Sequence, residues 1–191
     1  MSLEERIEHD PVLFIERFCR CSDPRKSQFS RPFEISGDQH LLSLAKMVSC
    51  GFTRCGIDSI ADQDFEKPNR DCGASWTVAA MVAWRLVTQL GESILLVGQT
   101  ERHVSNNYHG LLWKVNYVLR HLPESMLGGV EERGRLCTVN SKADSVCSAC
   151  WEKVPHGDRH SAVIFDDYED TMEDAYRSAR DTTNFRLRVM E

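Results

Sequence analysis

The stretch Val163-Ile-Phe-Asp-Asp167 decides the reading of this chain. With Ser161 and Ala162 before it, it is a short apolar run that ends abruptly in two acids. That is the pattern of a buried strand whose carboxyl end meets a polar site. Neighbouring residues of a strand point to opposite faces, so the chain must turn at Asp167 if both carboxylates are to serve one site. Working outward, Ser93-Ile-Leu-Leu-Val97 reads as a second buried strand and Phe185 to Val189 alternates like another. Arg135 to Val139 is a further candidate, and a weaker strand falls within Ile57 to Lys67. Between them lie helical patterns: Ser75 to about Leu90, stopped by Gly91; Glu101 to His121, ended by Pro123; and the acidic Thr171 to Arg180. Strands separated by helices predict an α/β fold, a mostly parallel sheet flanked by helices, with ligands at the carboxyl ends of its strands.

Upstream, Ser2 to Cys21 has helical spacing, with Pro11 interrupting it or starting a second helix. Ser22 to Pro32 is a polar connector, and a further helix is expected from Ser36 to about Gly51. The chain therefore divides into a helical lead-in, 1–56, and an α/β core, 57–191.

Composition narrows the function. The 191 residues are 41% apolar and 27% charged, enough for one sizeable core. A net charge of −6 excludes a histone-like nucleic-acid binder and leaves room only for a local basic groove. No apolar run approaches the roughly 20 residues that cross a bilayer. The acidic Met1 to Asp10 has no secretory pattern, so the eight cysteines are expected to be reduced thiols in a cytosolic protein.

Two stretches carry chemistry. Lys67-Pro-Asn-Arg-Asp-Cys-Gly-Ala-Ser-Trp76 lies between the weak strand and a strong helix. A phosphate loop needs a glycine turn, backbone N–H groups at a helix start, a cation and a hydroxyl for Mg²⁺. Gly73, Ser75 and Arg70 or Lys67 supply these, although Ala74 stands where the usual lysine would be. The same residues would also make an ordinary Gly-Ala-Ser helix turn. At the other stretch, Asp166 would hold the metal and Asp167 would orient or deprotonate the attacking water. The alternative is a polar turn after a core strand. The order of the two stretches, phosphate loop first and acidic strand end later with an apolar strand between, is that of P-loop ATPases with an additional central strand.

In these motifs the chain resembles the N-terminal ATPase domain of the tailed-phage terminase large subunit. Asp10 to Phe18, Asp23-Pro24 and Arg31 to Ile35 look like that family's lead-in. Gln39 with His40-Leu-Leu42 looks like its adenine-contacting glutamine motif. Arg70 to Trp76 resembles its deviant Walker A, in which the cation moves to the start of the loop. Ile94 to Glu101, Leu122-Pro123 and Asn140-Ser141 resemble the segments that follow, and Val163 to Asp167 its Walker B, with Asp167 where the family has glutamate. The resemblance implies ATP hydrolysis with Mg²⁺. Gln39, Lys67, Arg70, Asp71, Cys72, Gly73, Ala74, Ser75 and Trp76 would hold the nucleotide, Ser75 and Asp166 the metal, and Asp167 with Arg70 would serve catalysis. It implies duplex DNA, a portal protein, a small terminase subunit and a homo-oligomeric ring as partners, and the host cytoplasm as location, with no membrane. The coupling motif is expected just after Arg188-Val189. No nuclease domain is expected in these residues, so the chain is not expected to cut DNA. A helicase-like P-loop motor and a nucleotide-binding remnant without turnover are the competing readings.

Other residues invite assignment. Arg159 could act as an arginine finger across a subunit interface, or be a solvated arginine. Cys147-x-x-Cys150 with His156 and His160, expected in a loop before the acidic strand end, could bind zinc and make a zinc-stabilised module, or be incidental. Trp76, Trp84 and Trp113 are expected in the core.

Overall fold

The structure, a computed structural model, describes residues 3–22, 30–35, 41–45, 61–68, 72–151, 153–155, 158–183 and 185–190. Pro11 opens a helix instead of breaking one. Helix α1 (Leu3–His9) stops at Asp10, whose carboxylate accepts from the Leu13 N–H at 3.0 Å and caps α2 (Pro11–Phe18). Proline at the first helical position loses no internal hydrogen bond. Strands β1 (Arg20–Cys21) and β2 (Arg31–Pro32) form a small antiparallel ladder, and residues 41–45 are helical. The predicted boundary at 56/57 lies outside the described residues.

The main sheet contains β3 (Ala61–Glu66), β4 (Ser93–Gly98), β5 (Val130–Arg133), β6 (Cys137–Asn140), β7 (Ser145–Trp151), β8 (Ala162–Phe165) and β9 (Phe185–Met190). Its order is β3-β9-β8-β4-β7-β6-β5. From β3 to β7 every pairing is parallel, and β6 and β5 add an antiparallel margin. The acid-bearing strand β8 is thus separated from β3 by one inserted strand, β9. This is the mostly parallel, additional-strand α/β fold expected from the sequence.

Strand periodicity divides the core in two. Ile94 and Leu96 of β4 face one way and pack with Ile164 and Leu187 against α3 (Ala74–Thr88), α5 (Leu111–Arg120) and the N-terminal helices. Leu95 and Val97 face the other way and pack with Val163, Phe165 and Tyr176 of α6 (Glu173–Ser178). Helix α3 has no polar stripe because it is enclosed: Val78 to Val82 are fully buried, and the Trp84 indole N–H donates to the Ile7 carbonyl at 2.8 Å. Among the described residues no helix is long and apolar enough to cross a membrane.

Three expectations need correction. The helix predicted over Glu101 to His121 is two, α4 (Glu101–Val104) and α5, because the chain turns through Ser105–Gly110. His109 there has φ +73°, and a side chain at Gly110 would run into the Ser105 carbonyl. Strand β5 went unread because Val-Glu-Glu-Arg has almost no apolar content. Finally, Cys147 and Cys150 lie on strand β7, not in a loop.

The acidic strand β3 is matched by a basic one. In parallel register Asp62 faces Arg186 and Asp64 faces Arg188. Both pairs are bidentate: Arg186 Nε and Nη2 reach Asp62 at 2.7 and 2.6 Å, and Arg188 Nε and Nη2 reach Asp64 at 2.6 Å each. Both guanidiniums stack on Tyr176, 4.2 and 4.5 Å from its ring centre. Opposite charges directly across a ladder stabilise the pairing, so β3 needs little apolar content to hold its place.

Candidate nucleotide site

The carboxyl ends of β3 and β8 meet at one place. Lys67 follows β3, Gly73 and Ser75 open α3, and Asp166 and Asp167 follow β8. Gly73 caps α3 in the left-handed conformation, φ +94°, and its carbonyl accepts from the Thr77 N–H at 2.9 Å and the Thr77 hydroxyl at 3.2 Å. A side chain there would sit 3.4 Å from the Phe33 ring and 3.5 Å from Leu41, so the lead-in closes over this turn. Glycine meets both demands.

Across the site, the Ser75 hydroxyl donates to the Asp166 carboxylate at 3.1 Å, joining residues 91 apart in sequence. Asp166 is almost buried, and its N–H donates to the Val97 carbonyl of β4 at 3.2 Å. The turn that two adjacent acids require is present: Asp167 has φ +51°. Its carboxylate accepts from the Lys67 ammonium, which is itself nearly buried. The next residue, Tyr168, donates from its hydroxyl to Glu173. Burial first, then the Glu173 carboxylate, pushes that hydroxyl above the usual tyrosine range.

The described residues so bring together Lys67, Cys72, Gly73, Ala74, Ser75, Asp166 and Asp167. Gln39, Arg70 and Asp71 lie outside the described residues. Ala74, at the position where the lysine was looked for, is buried in the core. Trp76 packs edge-on against Tyr117 and Trp113, with ring centres 5.5 and 6.2 Å away. Arg159 is exposed just before the amino end of β8, whereas Asp166 follows its carboxyl end.

Cys147 and Cys150 lie on opposite faces of the sheet. Cys147 is fully buried with the α3 side of the core, whereas Cys150 projects to the other face. Burial raises both thiols, Cys150 to about 11. His160 Nδ1 lies 3.1 Å from the Ser93 hydroxyl, and His156 lies outside the described residues. No metal-type cluster of three or more His, Cys, Asp or Glu occurs among the described residues. An oxygen pair such as Ser75 and Asp166 suits Mg²⁺, which takes one or two carboxylates and otherwise keeps water and phosphate oxygens.

Sequence reasoning missed the Asp64–Arg188–Tyr168 contact at the rim of the site. Its signal was there: Asp-x-Asp in one strand and Arg-x-Arg in another, both at the spacing of one strand face.

No protein-family model matches the chain, and neither does any curated protein. Solved structures do. The crystal structure of the bacteriophage HK97 large terminase matches 100% of this chain with a TM-score of 0.66 at 15% identity. The ATPase domain of the Thermus phage P74-26 large terminase matches 75% of this chain and 63% of that one at 15% identity, TM-score 0.42. A single-substitution variant of that domain matches 68% and 58% at 13% identity, again with TM-score 0.42. This chain spans 38% of the length of the HK97 protein. Its fold is that of the matched part of the HK97 large terminase.

Proposed function

We propose that this chain is an ATPase domain of a DNA-packaging terminase large subunit, hydrolysing ATP to move duplex DNA into a capsid. The observation that carries the reading is the hydrogen bond between Ser75, at the start of α3, and Asp166, at the end of β8. An ordinary helix turn gives no reason for a hydroxyl to meet a nearly buried carboxylate from a distant strand. A Mg²⁺-nucleotide site does.

In this reading the backbone at Gly73 and the first turn of α3 receive phosphate oxygens. Lys67, with Arg70, supplies positive charge. Ser75 and Asp166 hold Mg²⁺, which neutralises phosphate charge when bound. Asp167, turned back toward the site, orients the attacking water and accepts its proton. Gln39 selects adenine. Duplex DNA, a portal protein, a small terminase subunit and neighbouring copies in a ring are the partners the reading carries, in the host cytoplasm, with Arg159 available to a neighbour.

One observation favours a second reading, nucleotide binding without turnover: Asp167 is shorter than glutamate and is already engaged by Lys67. Thermal shift and phosphate release with Mg²⁺-ATP separate the two. Under the ATPase reading the wild type is stabilised, by about 2.7 kcal/mol at 100 times the dissociation constant, and releases phosphate. Asp166→Asn abolishes the release. Stabilisation without phosphate release establishes the second reading, and neither effect refutes both.

A further inference from the structure

Two consecutive carbonyls at the end of β9 carry both halves of the site. Met190 accepts from the Lys67 N–H and Val189 from the Tyr168 N–H, each at 2.8 Å. One residue earlier, Arg188 grips Asp64 with two bonds of 2.6 Å. Its guanidinium also lies 5.2 Å from the Tyr168 ring centre. Tyr168 is nearly buried and packs edge-on against Phe165 and Tyr176. Glu173, which takes its hydroxyl, is held in turn by Arg177 Nε at 2.8 Å.

Tyr168 directly follows Asp167, and Asp167 sits at φ +51°. The left-handed region is less costly for aspartate than for most residues, but it still lies above the ordinary basins, and contacts on either side hold the chain there. Three contacts of the next residue hold the turn: the Tyr168 N–H on the Val189 carbonyl, its hydroxyl on Glu173, and its ring under Arg188. Only arginine offers both a fork for a carboxylate and a flat cationic face for a ring. The rung before it is an internal comparison. Arg186 pairs with Asp62 in the same way, but its third hydrogen bond goes to the Tyr176 carbonyl at 2.7 Å, on α6 and away from the Asp167 turn.

We propose that Arg188 is a positioning residue: anchored on Asp64, it holds Tyr168 and thereby fixes the turn from which Asp167 addresses the attacking water. This rests on the ATPase reading above. The test is steady-state phosphate release from Mg²⁺-ATP by the wild type, Arg188→Met, Asp167→Asn and the double variant. Arg188→Met is expected to lower kcat about tenfold or more, with the KM for ATP within about twofold, because misplaced groups lose rate before binding. In the Asp167→Asn background the same change should alter the residual rate less than about twofold, since the group it positions is gone. Equal losses in both backgrounds, or a raised KM at unchanged kcat, overturn the proposal. If Arg188→Met does not fold, Arg188→Lys, which lacks fork and face, is read in the same way. An inactive wild type overturns the ATPase reading and this proposal together, whereas an active wild type with background-independent loss overturns the proposal alone.

Discussion

The two rungs between β3 and β9 should differ in strength although their hydrogen bonds are alike. The Arg186 side chain is 6% exposed and its partner Asp62 47%, whereas Arg188 is 25% exposed and Asp64 45%. Asp62→Ala strands Nε and Nη2 of an enclosed guanidinium, leaving it the Tyr176 carbonyl and the Tyr176 ring. Breaking a buried pair costs about 3–5 kcal/mol, but water can enter where Asp62 stood, so the expected loss is about 2–3 kcal/mol. Asp64→Ala leaves Arg188 in reach of water and should cost about 1 kcal/mol or less. For a chain of this length these losses lower Tm by about 4–12 °C and by at most about 4 °C. Urea unfolding followed by tryptophan fluorescence, with calorimetry, measures both. Adding Arg186→Met to Asp62→Ala removes the stranded charge and should restore much of the loss. Equal losses from the two aspartates, or a double variant less stable than Asp62→Ala, would refute the reasoning.

Four further outcomes are expected. Asn140 is buried, donates to the Leu86 carbonyl at 2.7 Å and accepts from the Lys142 and Ala143 N–H groups at 3.1 and 3.3 Å, so Asn140→Ala should cost about 2–4 kcal/mol in urea unfolding. Gly73→Ala forces a methyl group into the left-handed region against Phe33; a loss of about 1–2 kcal/mol and a weaker Mg²⁺-ATP thermal shift should follow. Burial holds the Cys147 thiol well above its ordinary range and Cys150 at about 11, so iodoacetamide at pH 8 should spare Cys147 and label Cys150 slowly until urea is added, as read by mass spectrometry. Burial, against the opposing pull of Asp158, holds His160 below its ordinary 6.5. The unfolded chain then takes up that proton first, so stability is lost as pH falls below about 6.5; His160→Gln should flatten the drop in Tm between pH 7.5 and 5.5.

Much of the sheet was legible because its central strands are buried on both faces. Ile94 to Val97 and Val163 to Phe165 are continuous apolar runs too short for a core helix. The marginal strands were harder. Strand β5 exposes alternate residues and is mostly charged, and β7 mixes cysteine, serine and alanine, so neither shows a clear apolar alternation. The break in the helix at Ser105–Gly110 is held partly by the Asn106 N–H on the Arg135 carbonyl at 2.7 Å, a contact between distant segments that adds to the local signal of Gly110. At the site, residue types and their order pointed to Ser75, Asp166 and Asp167. Asp-x-Asp and Arg-x-Arg hinted that two strands carry complementary charge, but which acid meets which arginine exists only once the register of two strands 124 residues apart is known.

The sheet order has a consequence for how the chain folds. Strand β9, the last described strand, enters between β3, the first of the main sheet, and β8. Until it arrives, β3 has no described neighbour and β8 has one open side. Pairings this distant are slow to form, because the intervening loop must close before any contact rewards it. During that wait an apolar strand would invite pairing with other chains. Strand β3 waits instead with Asp62, Asp64 and Glu66, whose mutual repulsion disfavours self-association. The charges that complete the ladder in the native state thus give an unpaired β3 a charged edge in place of an apolar one.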